Sequence, residues 1–233
     1  MESHAALPVY MQISELLARE IAAGHLLDGE KLPPEREMAG RLGISVGTLR
    51  RALAELTERG LLERRQGSGN YIRVKGDARN IYSFFRIELL AGGGLPTATL
   101  LSLDRMEKPA SLPRFGEGDQ GWRIRRLRSL NDQPCVLEEI WLCASYAEQI
   151  GAGDLSESLY LFYRERLNLW ISHVDDSVGI ATVPGWSPPA FSPKPGATVG
   201  YFARSGFDQN NRPAEVSRNW FDTSLSHYVS RIR

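Results

Sequence analysis

Residues 32–72 read LPPEREMAGRLGISVGTLRRALAELTERGLLERRQGSGNYI, and the apolar spacing and punctuation of this stretch decide the fold of the N-terminal part of the chain. Pro34 stands where a proline is tolerated, in the first turn of a helix, and Met38, Ala39 and Leu42 recur at helical intervals before Gly43. A further helix follows a short turn. Ser45 is placed to accept from the free amides at its start, and Leu49, Ala52, Leu53 and Leu56 form one apolar stripe that ends at Gly60. Residues 61–65 and 70–74 then read as two strands around Gln66, Gly67, Ser68 and Gly69, a turn whose glycines accept positive φ. Helix, turn, helix and hairpin in that order make a winged helix-turn-helix.

Upstream, residues 9–23 form a first helix, with Ile13, Leu16, Leu17 and Ile21 at helical intervals and Gly24 beyond its end. A winged helix needs only about 70 residues, so a chain of 233 leaves room for roughly one further domain. The expected division is a first domain over residues 1–75, a linker over residues 76–80 within the polar VKGDARN, and a second domain over residues 81–233.

Advancing about 100° per residue places Gly47, Arg50, Arg51 and Ala54 opposite the apolar stripe of the helix after Ser45, with Thr48 near its start. Two readings of that face stand side by side: a solvated amphipathic surface, or a helix tip offered to a DNA groove. The whole chain is neutral, and residues 1–75 carry eleven Lys and Arg against ten Asp and Glu, a net of +1. Bulk charge cannot hold nucleic acid at that balance. The expectation is that Arg36, Arg50, Arg51, Arg64 and Arg65 cluster while the acids lie on other faces. One small module contacts few phosphates, so a homodimer on palindromic double-stranded operator DNA is expected.

Beyond residue 81 the pattern turns mixed. Residues 97–104, 122–130, 135–142, 169–173, 199–207 and 214–221 read as strands, and residues 154–167 as a helix with Leu155, Leu159, Phe162 and Leu167 broadly on one side. Residues 131–134, 184–195 and 208–211 are loops. Strands separated by short polar turns imply an antiparallel sheet, hence an α+β chain. A period of two sets Ile124, Arg126 and Arg128 on one face, and Val136, Glu138, Ile140 and Leu142 on one face of the next strand. Paired guanidinium groups call for an anion, and a carboxylate in an apolar row calls for a partner. A salt bridge between neighbouring strands and a ligand site satisfy that demand equally well.

Catalysis is not expected: His4, His25, His173 and His227 are isolated, and no ligand set has metal spacing, so neither metal nor cofactor is expected. Cys135 and Cys143 lie on one strand eight residues apart, too far to bond within it, and read as reduced buried thiols. No signal peptide, lipid anchor or membrane-length apolar run is seen, which points to the cytoplasm and to no membrane partner.

Tyr10, Gln12, Leu32, Pro33, Glu35, Arg36, Met38, Ala39, Ser45, Thr48, Leu49, Arg50, Ala52, Leu53, Gly67, Gly69 and Tyr71 follow, in order, a known pattern. With them, the N-terminal part closely resembles the DNA-binding domain of the GntR family of bacterial transcription regulators. The resemblance implies that Arg36 reaches a phosphate or base, Ser45 and Thr48 hold phosphate oxygens, Arg50 contacts the major groove, and Gly67 lets the wing approach the minor groove; helical spacing adds Gly47 and Arg51 to the same face. Many members carry Arg directly after the serine, where this chain has Val46; that position of the DNA surface therefore differs from its relatives.

The second domain carries Tyr82-Ser83-Phe84, Arg126-Leu127-Arg128, Pro134 with Leu137-Glu138, Ser158-Leu159-Tyr160 and Pro213-Ala214-Glu215-Val216-Ser217. These resemble the effector-binding (UTRA) domain of the HutC-like branch of that family, which is related in fold to chorismate lyase. The resemblance implies a pocket for a small anionic effector, a carboxylate or phosphate. Arg126 and Arg128 would grip the anion, Ser83, Phe84 and Ser158 would assist beside it, and Glu138, Tyr160 and Glu215 would hold polar groups on the ligand body. Several relatives have a Tyr six residues after that last Glu; this chain has Phe221, one hydrogen bond fewer. The implied protein is a transcription regulator, a repressor by family habit. The alternative is a lyase-like enzyme carrying a DNA-binding module.

Overall fold

In the computed structural model, residues 8–23, 25–73, 84–92, 96–155 and 158–230 are described. They belong to two compact units, and the chain passes from one to the other at Phe85 and Arg86. The linker expected at residues 76–80 lies outside the described residues, as do Val74, Tyr82 and Ser83.

The N-terminal unit holds α1 (Val9–Ala23), α2 (Glu35–Arg41), α3 (Val46–Glu58), β1 (Leu62–Arg65) and β2 (Gly69–Ile72). The Ser45 hydroxyl caps α3 by accepting from the Thr48 amide at 3.0 Å. Gly43 after α2 and Gly60 after α3 adopt φ of +65° and +71°, left-handed turns that glycine makes without steric cost. Leu49, Ala52, Leu53 and Leu56 of α3 are all buried, packed with Ile13, Leu17 and Ile21 of α1 and with Met38 and Ala39 of α2. β1 and β2 pair antiparallel from Leu62↔Ile72 to Arg65↔Gly69, and Lys31 bridges to Tyr71 beside them. This is the winged helix expected from the sequence.

The C-terminal unit follows with β3 (Ile87–Leu89), β4 (Pro96–Glu107), β5 (Gln120–Leu130), β6 (Gln133–Cys143), α4 (Leu159–Arg166), β7 (His173–Thr182), β8 (Thr198–Phe207), β9 (Pro213–Phe221) and β10 (Ser226–Tyr228). Six strands form one antiparallel sheet in the order β4-β5-β6-β9-β8-β7. After β6 the chain leaves the sheet through 3₁₀ turns and α4, re-enters at the far edge as β7, and closes inward through β8 and β9. β3 and β10 make a separate two-stranded ribbon.

Two elements differ from expectation. The strand expected at residues 169–173 runs instead from His173 to Thr182, because Leu169 and Ile171 are core plugs in the connection after α4 rather than strand residues. The helix expected from residue 154 begins at Leu159: Ser158 caps it by accepting from the Leu161 amide at 3.3 Å, after a separate 3₁₀ turn at Ala152–Asp154. One face of the sheet, with Leu127, Leu137, Val199 and Trp220, is covered by Trp186 and Phe191 of the proline-rich loop. Cys135 and Cys143 are buried and free, as the sequence implies.

Candidate functional site

In the N-terminal unit, Arg36, Ser45, Gly47, Arg50, Arg51 and Gly67 are exposed, and Thr48 is half-buried with its hydroxyl 2.8 Å from Ser45 Oγ. Val46 is half-buried and packs against the helical core. The wing stands beside the start of α2 across a groove of about 810 Å³, lined on one side by residues 31–36 and on the other by residues 64–70. Gly67, at the wing tip, has φ +71° and open space around it, so nothing bulky separates its backbone from a passing strand.

The acids do not lie on other faces. Glu35, at the start of α2, receives the Arg50 Nε–H at 2.6 Å and has Arg64 Nη2 at 3.8 Å. The Arg50 guanidinium holds the Glu35 carboxyl below its ordinary value. Glu63 pairs with Arg65 at 2.9 Å and with Arg73. Facing elements bring these carboxylates to the arginines, a tertiary relation that charge order along the chain does not encode. Arg51 lies over the Tyr10 ring at 3.8 Å and Arg65 over Tyr71 at 4.3 Å, each fixed by a cation–π contact. The arginines of this surface are thus held in place by carboxylates and rings of neighbouring elements.

In the C-terminal unit the register sets polar side chains in a row across one face of the sheet. Arg126 stands opposite Glu138, Glu138 opposite Asn219, and Arg204 is flanked by Ser217 on one side and Asp176 on the other. Arg126, Arg128, Glu138, Ser217, Asn219, Glu215 and Arg204 are all buried. Arg126 Nη2 donates to Glu138 at 2.6 Å, and Arg128 donates through Nε at 2.8 Å and Nη2 at 3.3 Å. The anion between the two arginines is therefore the carboxylate of Glu138. Burial pushes that carboxyl up, but the two guanidinium groups outweigh it and hold it at about 2. The sequence left a cross-strand salt bridge and a ligand site open; the salt bridge is present.

α4 lays its own polar groups on the row. Tyr163 donates to Glu215 Oε2 at 2.6 Å and Tyr160 to Oε1 at 3.4 Å. Burial pushes the Glu215 carboxyl up and both phenols well above their ordinary values. Ser158 is buried at the N-cap of the same helix. At the β7 end, Arg204 holds Asp176 through two bonds of 2.6 Å, and the Tyr228 hydroxyl donates to the same carboxylate at 2.6 Å. Arg86 lies close enough to Arg204 that, after burial, this like charge is the next influence holding its guanidinium below the ordinary value. Phe221 closes one side: its ring lies where a Cβ on Gly200 would come within 2.2 Å. Phe84 is half-buried, and Ser83 lies outside the described residues.

Sequence reasoning brought Arg126, Arg128, Glu138, Ser158, Tyr160, Glu215 and Phe221 to this unit but missed Tyr163, Asp176, Arg204 and Tyr228. Arg204 carried the same signal as Glu138, a single charge on one parity of an apolar strand with Gly200, Phe202 and Gly206. Among the described residues, no cluster of His, Cys, Asp or Glu is arranged to hold a metal ion, and no helix is long and apolar enough to cross a membrane.

Comparison with known proteins agrees with both halves. Residues 9–72 match the model of the bacterial regulatory proteins of the gntR family, and residues 91–225 match that of the UTRA domain. The chain is 57% identical over 228 residues to the HTH-type transcriptional regulator SmoD of Agrobacterium fabrum, covering 98% of this chain and 97% of that one. It is 25% identical over 241 residues to the HTH-type transcriptional repressor NagR of Bacillus subtilis, covering 100% and 99%. The solved ligand-binding domain of a GntR-family regulator from Bordetella bronchiseptica superposes with a TM-score of 0.58 at 22% identity, over 64% of this chain and 98% of that one, which shows the shared fold. The chain belongs to the GntR family of bacterial regulatory proteins, with a UTRA domain behind its winged helix, and is a DNA-binding transcription regulator rather than an enzyme.

Proposed function

We propose that this regulator is a repressor that binds a two-fold operator as a homodimer, and that a small anionic metabolite in the UTRA domain modulates that binding. The observation that carries the effector half is the buried polar row. Arg126, Arg128, Arg204 and Arg86 gather with Glu138, Asp176 and Glu215. Charged groups are costly to bury for packing alone, and guanidinium forks gathered in this way suit an anionic ligand. A carboxylate or phosphate entering between Arg126 and Arg128 competes with Glu138 for fork-shaped donors that suit either anion. Tyr160, Tyr163 and Glu215 offer hydrogen bonds to the rest of the ligand.

The DNA half rests on the tip of α3 and the wing. Ser45, Thr48 and the first amides of α3 suit phosphate oxygens, Arg50 the paired acceptors of guanine, and the groove beside Gly67 the sugar-phosphate edge. Arg36 sits at the mouth of that groove. NagR, similar over its whole length, is named a repressor, which supports repression here. A ligand alters operator affinity only by binding the two arrangements of the dimer unequally. The test is a thermal-shift screen of the full chain against small carboxylates, sugar phosphates and uncharged sugars and amides, followed by operator anisotropy with each hit. A stabilising anion that changes operator affinity supports the reading; stabilisation only by neutral compounds contradicts it.

A further inference from the structure

We infer that Asp176, with Arg204 behind it, forms a second subsite of the effector pocket that takes hydroxyl groups on the ligand body, so that the effector is a hydroxylated anion rather than a plain one. The inference rests on the effector reading above and names the class of molecule that fits it. Neither Asp176 nor Arg204 falls within the motifs that carry the family resemblance.

The register sets the distance. Glu138 on β6 and Asp176 on β7 share one face of the sheet with β9 and β8 between them, three strand spacings or roughly 14 Å from backbone to backbone. The long side chains gathered at both ends shorten the span that a ligand must cover. Between the ends the sheet carries the short polar side chains of Ser217 and Asn219. Tyr160 of α4 joins the two ends: its hydroxyl donates to Glu215 at 3.4 Å and accepts from Arg204, while Arg204 and Arg126 both act on the Glu215 carboxyl. A ligand gripped at Arg126 and Arg128 and extended along this line reaches Asp176.

The groups at that far end suit a hydroxyl. The Arg204 and Asp176 side chains are only 9% and 10% exposed and are joined by two bonds of 2.6 Å. Burial pushes the Asp176 carboxyl up, but Arg204 outweighs it and holds it below its ordinary value, so at neutral pH it is an acceptor only. It already takes one hydroxyl: Tyr228 donates to it at 2.6 Å. Tyr228 belongs to β10, which among the described residues pairs with β3 and not with the six-stranded sheet. Asp176 is thus fixed on the sheet, and its hydroxyl partner comes from a separate element. A ligand hydroxyl exchanges like for like with that phenol, whereas a second anion would meet the Asp176 charge. A methylene in the same place leaves a buried ionised acceptor without its donor, the loss by which a site built for a hydroxyl rejects analogues that lack one.

The experiment compares matched anions that differ in their hydroxyl groups, gluconate against hexanoate and glucose 6-phosphate against hexyl phosphate. Thermal stabilisation of the full chain over a concentration series gives the affinity of each for the wild type, Asp176→Asn and Tyr228→Phe. The wild type should bind the hydroxylated member of a pair at least about ten-fold more tightly than its match. Asp176→Asn should bring that ratio to within about twofold of unity. Tyr228→Phe removes the phenol that the ligand displaces and should raise the ratio; a purely structural Tyr228 would lower both affinities together and leave the ratio as it was. Because the two variants move the ratio in opposite directions, a poorly folded Asp176→Asn still leaves Tyr228→Phe to decide. A plain anion that binds as well as its hydroxylated match overturns the subsite, as does a preference that Asp176→Asn retains or Tyr228→Phe fails to raise. So does a best-binding anion without hydroxyl groups in the wider screen. Absence of stabilisation by any anion overturns the effector reading itself.

Discussion

Glu35 and Arg50 are joined across the helix-turn-helix: the guanidinium on α3 rests 2.6 Å from a carboxylate at the start of α2. The Arg50 side chain is 62% exposed and Glu35 only 20%, so the carboxylate is the fixed partner and the arginine the movable one. An exposed pair of this kind contributes at most about 1 kcal/mol, less than a phosphate or guanine offers the same fork. The pair orients Arg50 without trapping it.

Glu35→Gln removes a negative charge from the surface proposed to meet DNA and loosens Arg50 and Arg64. Affinity for scrambled duplex should rise, the salt dependence should steepen by about one phosphate equivalent, and the ratio of operator to scrambled affinity should fall. Fluorescence anisotropy over a salt series reads all three. An unchanged ratio would show that Glu35 does not orient Arg50.

Ser45 carries two roles that substitution can separate. Ser45→Ala removes the cap on α3 and should cost the N-terminal unit about 1 kcal/mol. Ser45→Asp keeps a capping oxygen and should melt near the wild type, yet bind operator less well because its charge meets phosphate. Thermal melts beside operator titrations test this; wild-type DNA affinity in Ser45→Asp would remove Ser45 from the phosphate-facing surface.

How much of this arrangement is legible without coordinates depends on how local each relation is. The limits of α1 and the α3 stripe follow from spacing within one helix, and Arg126, Arg128 and Glu138 follow from parity within single strands. Relations between elements far apart in sequence are another matter. Glu35 beside Arg50, and Tyr163 on Glu215, depend on how helices settle against their neighbours, which periodicity does not report. β7 was misplaced because an exposed edge strand has no buried face to alternate with, whereas the plugs Leu169 and Ile171 imitate one. β3 and β10, three residues each, are too short to show a period.

Acid should expose the Glu138 pair. Its carboxyl is held at about 2, below the ordinary 4.5, so the stability it contributes is fully present above 4.5 and is lost as pH falls from there toward 2. Glu215 has the opposite sign: burial raises it, so folding favours its protonated form and acid relieves a cost. Glu138→Gln should therefore be less stable than wild type at neutral pH, with the gap narrowing as pH drops below 4.5. Chemical denaturation at a series of pH values measures it, and a constant gap would show that the pair does not titrate with folding.

Gly200 is needed for the ring beside it. Gly200→Ala pushes a methyl into Phe221 and should destabilise the fold by about 1–3 kcal/mol. Phe221→Leu in the same chain should recover part of that loss. Denaturant midpoints of the two single variants and the double variant give the coupling; strict additivity would place the clash elsewhere.

The most direct measurement of the division of labour puts Arg50→Ala and Arg126→Met through two assays on the full chain: operator anisotropy, and thermal stabilisation by the anion found in the carboxylate and sugar-phosphate screen. Arg126→Met leaves Glu138 its bonds from Arg128, and a circular dichroism spectrum and a melt without ligand check that the variant is folded. Arg50→Ala should weaken operator binding by about 10- to 100-fold and leave stabilisation by the anion unchanged. Arg126→Met should abolish the stabilisation and keep operator affinity within about twofold in the absence of ligand, a difference of roughly 0.4 kcal/mol. Equal loss of both activities in both variants would contradict the account.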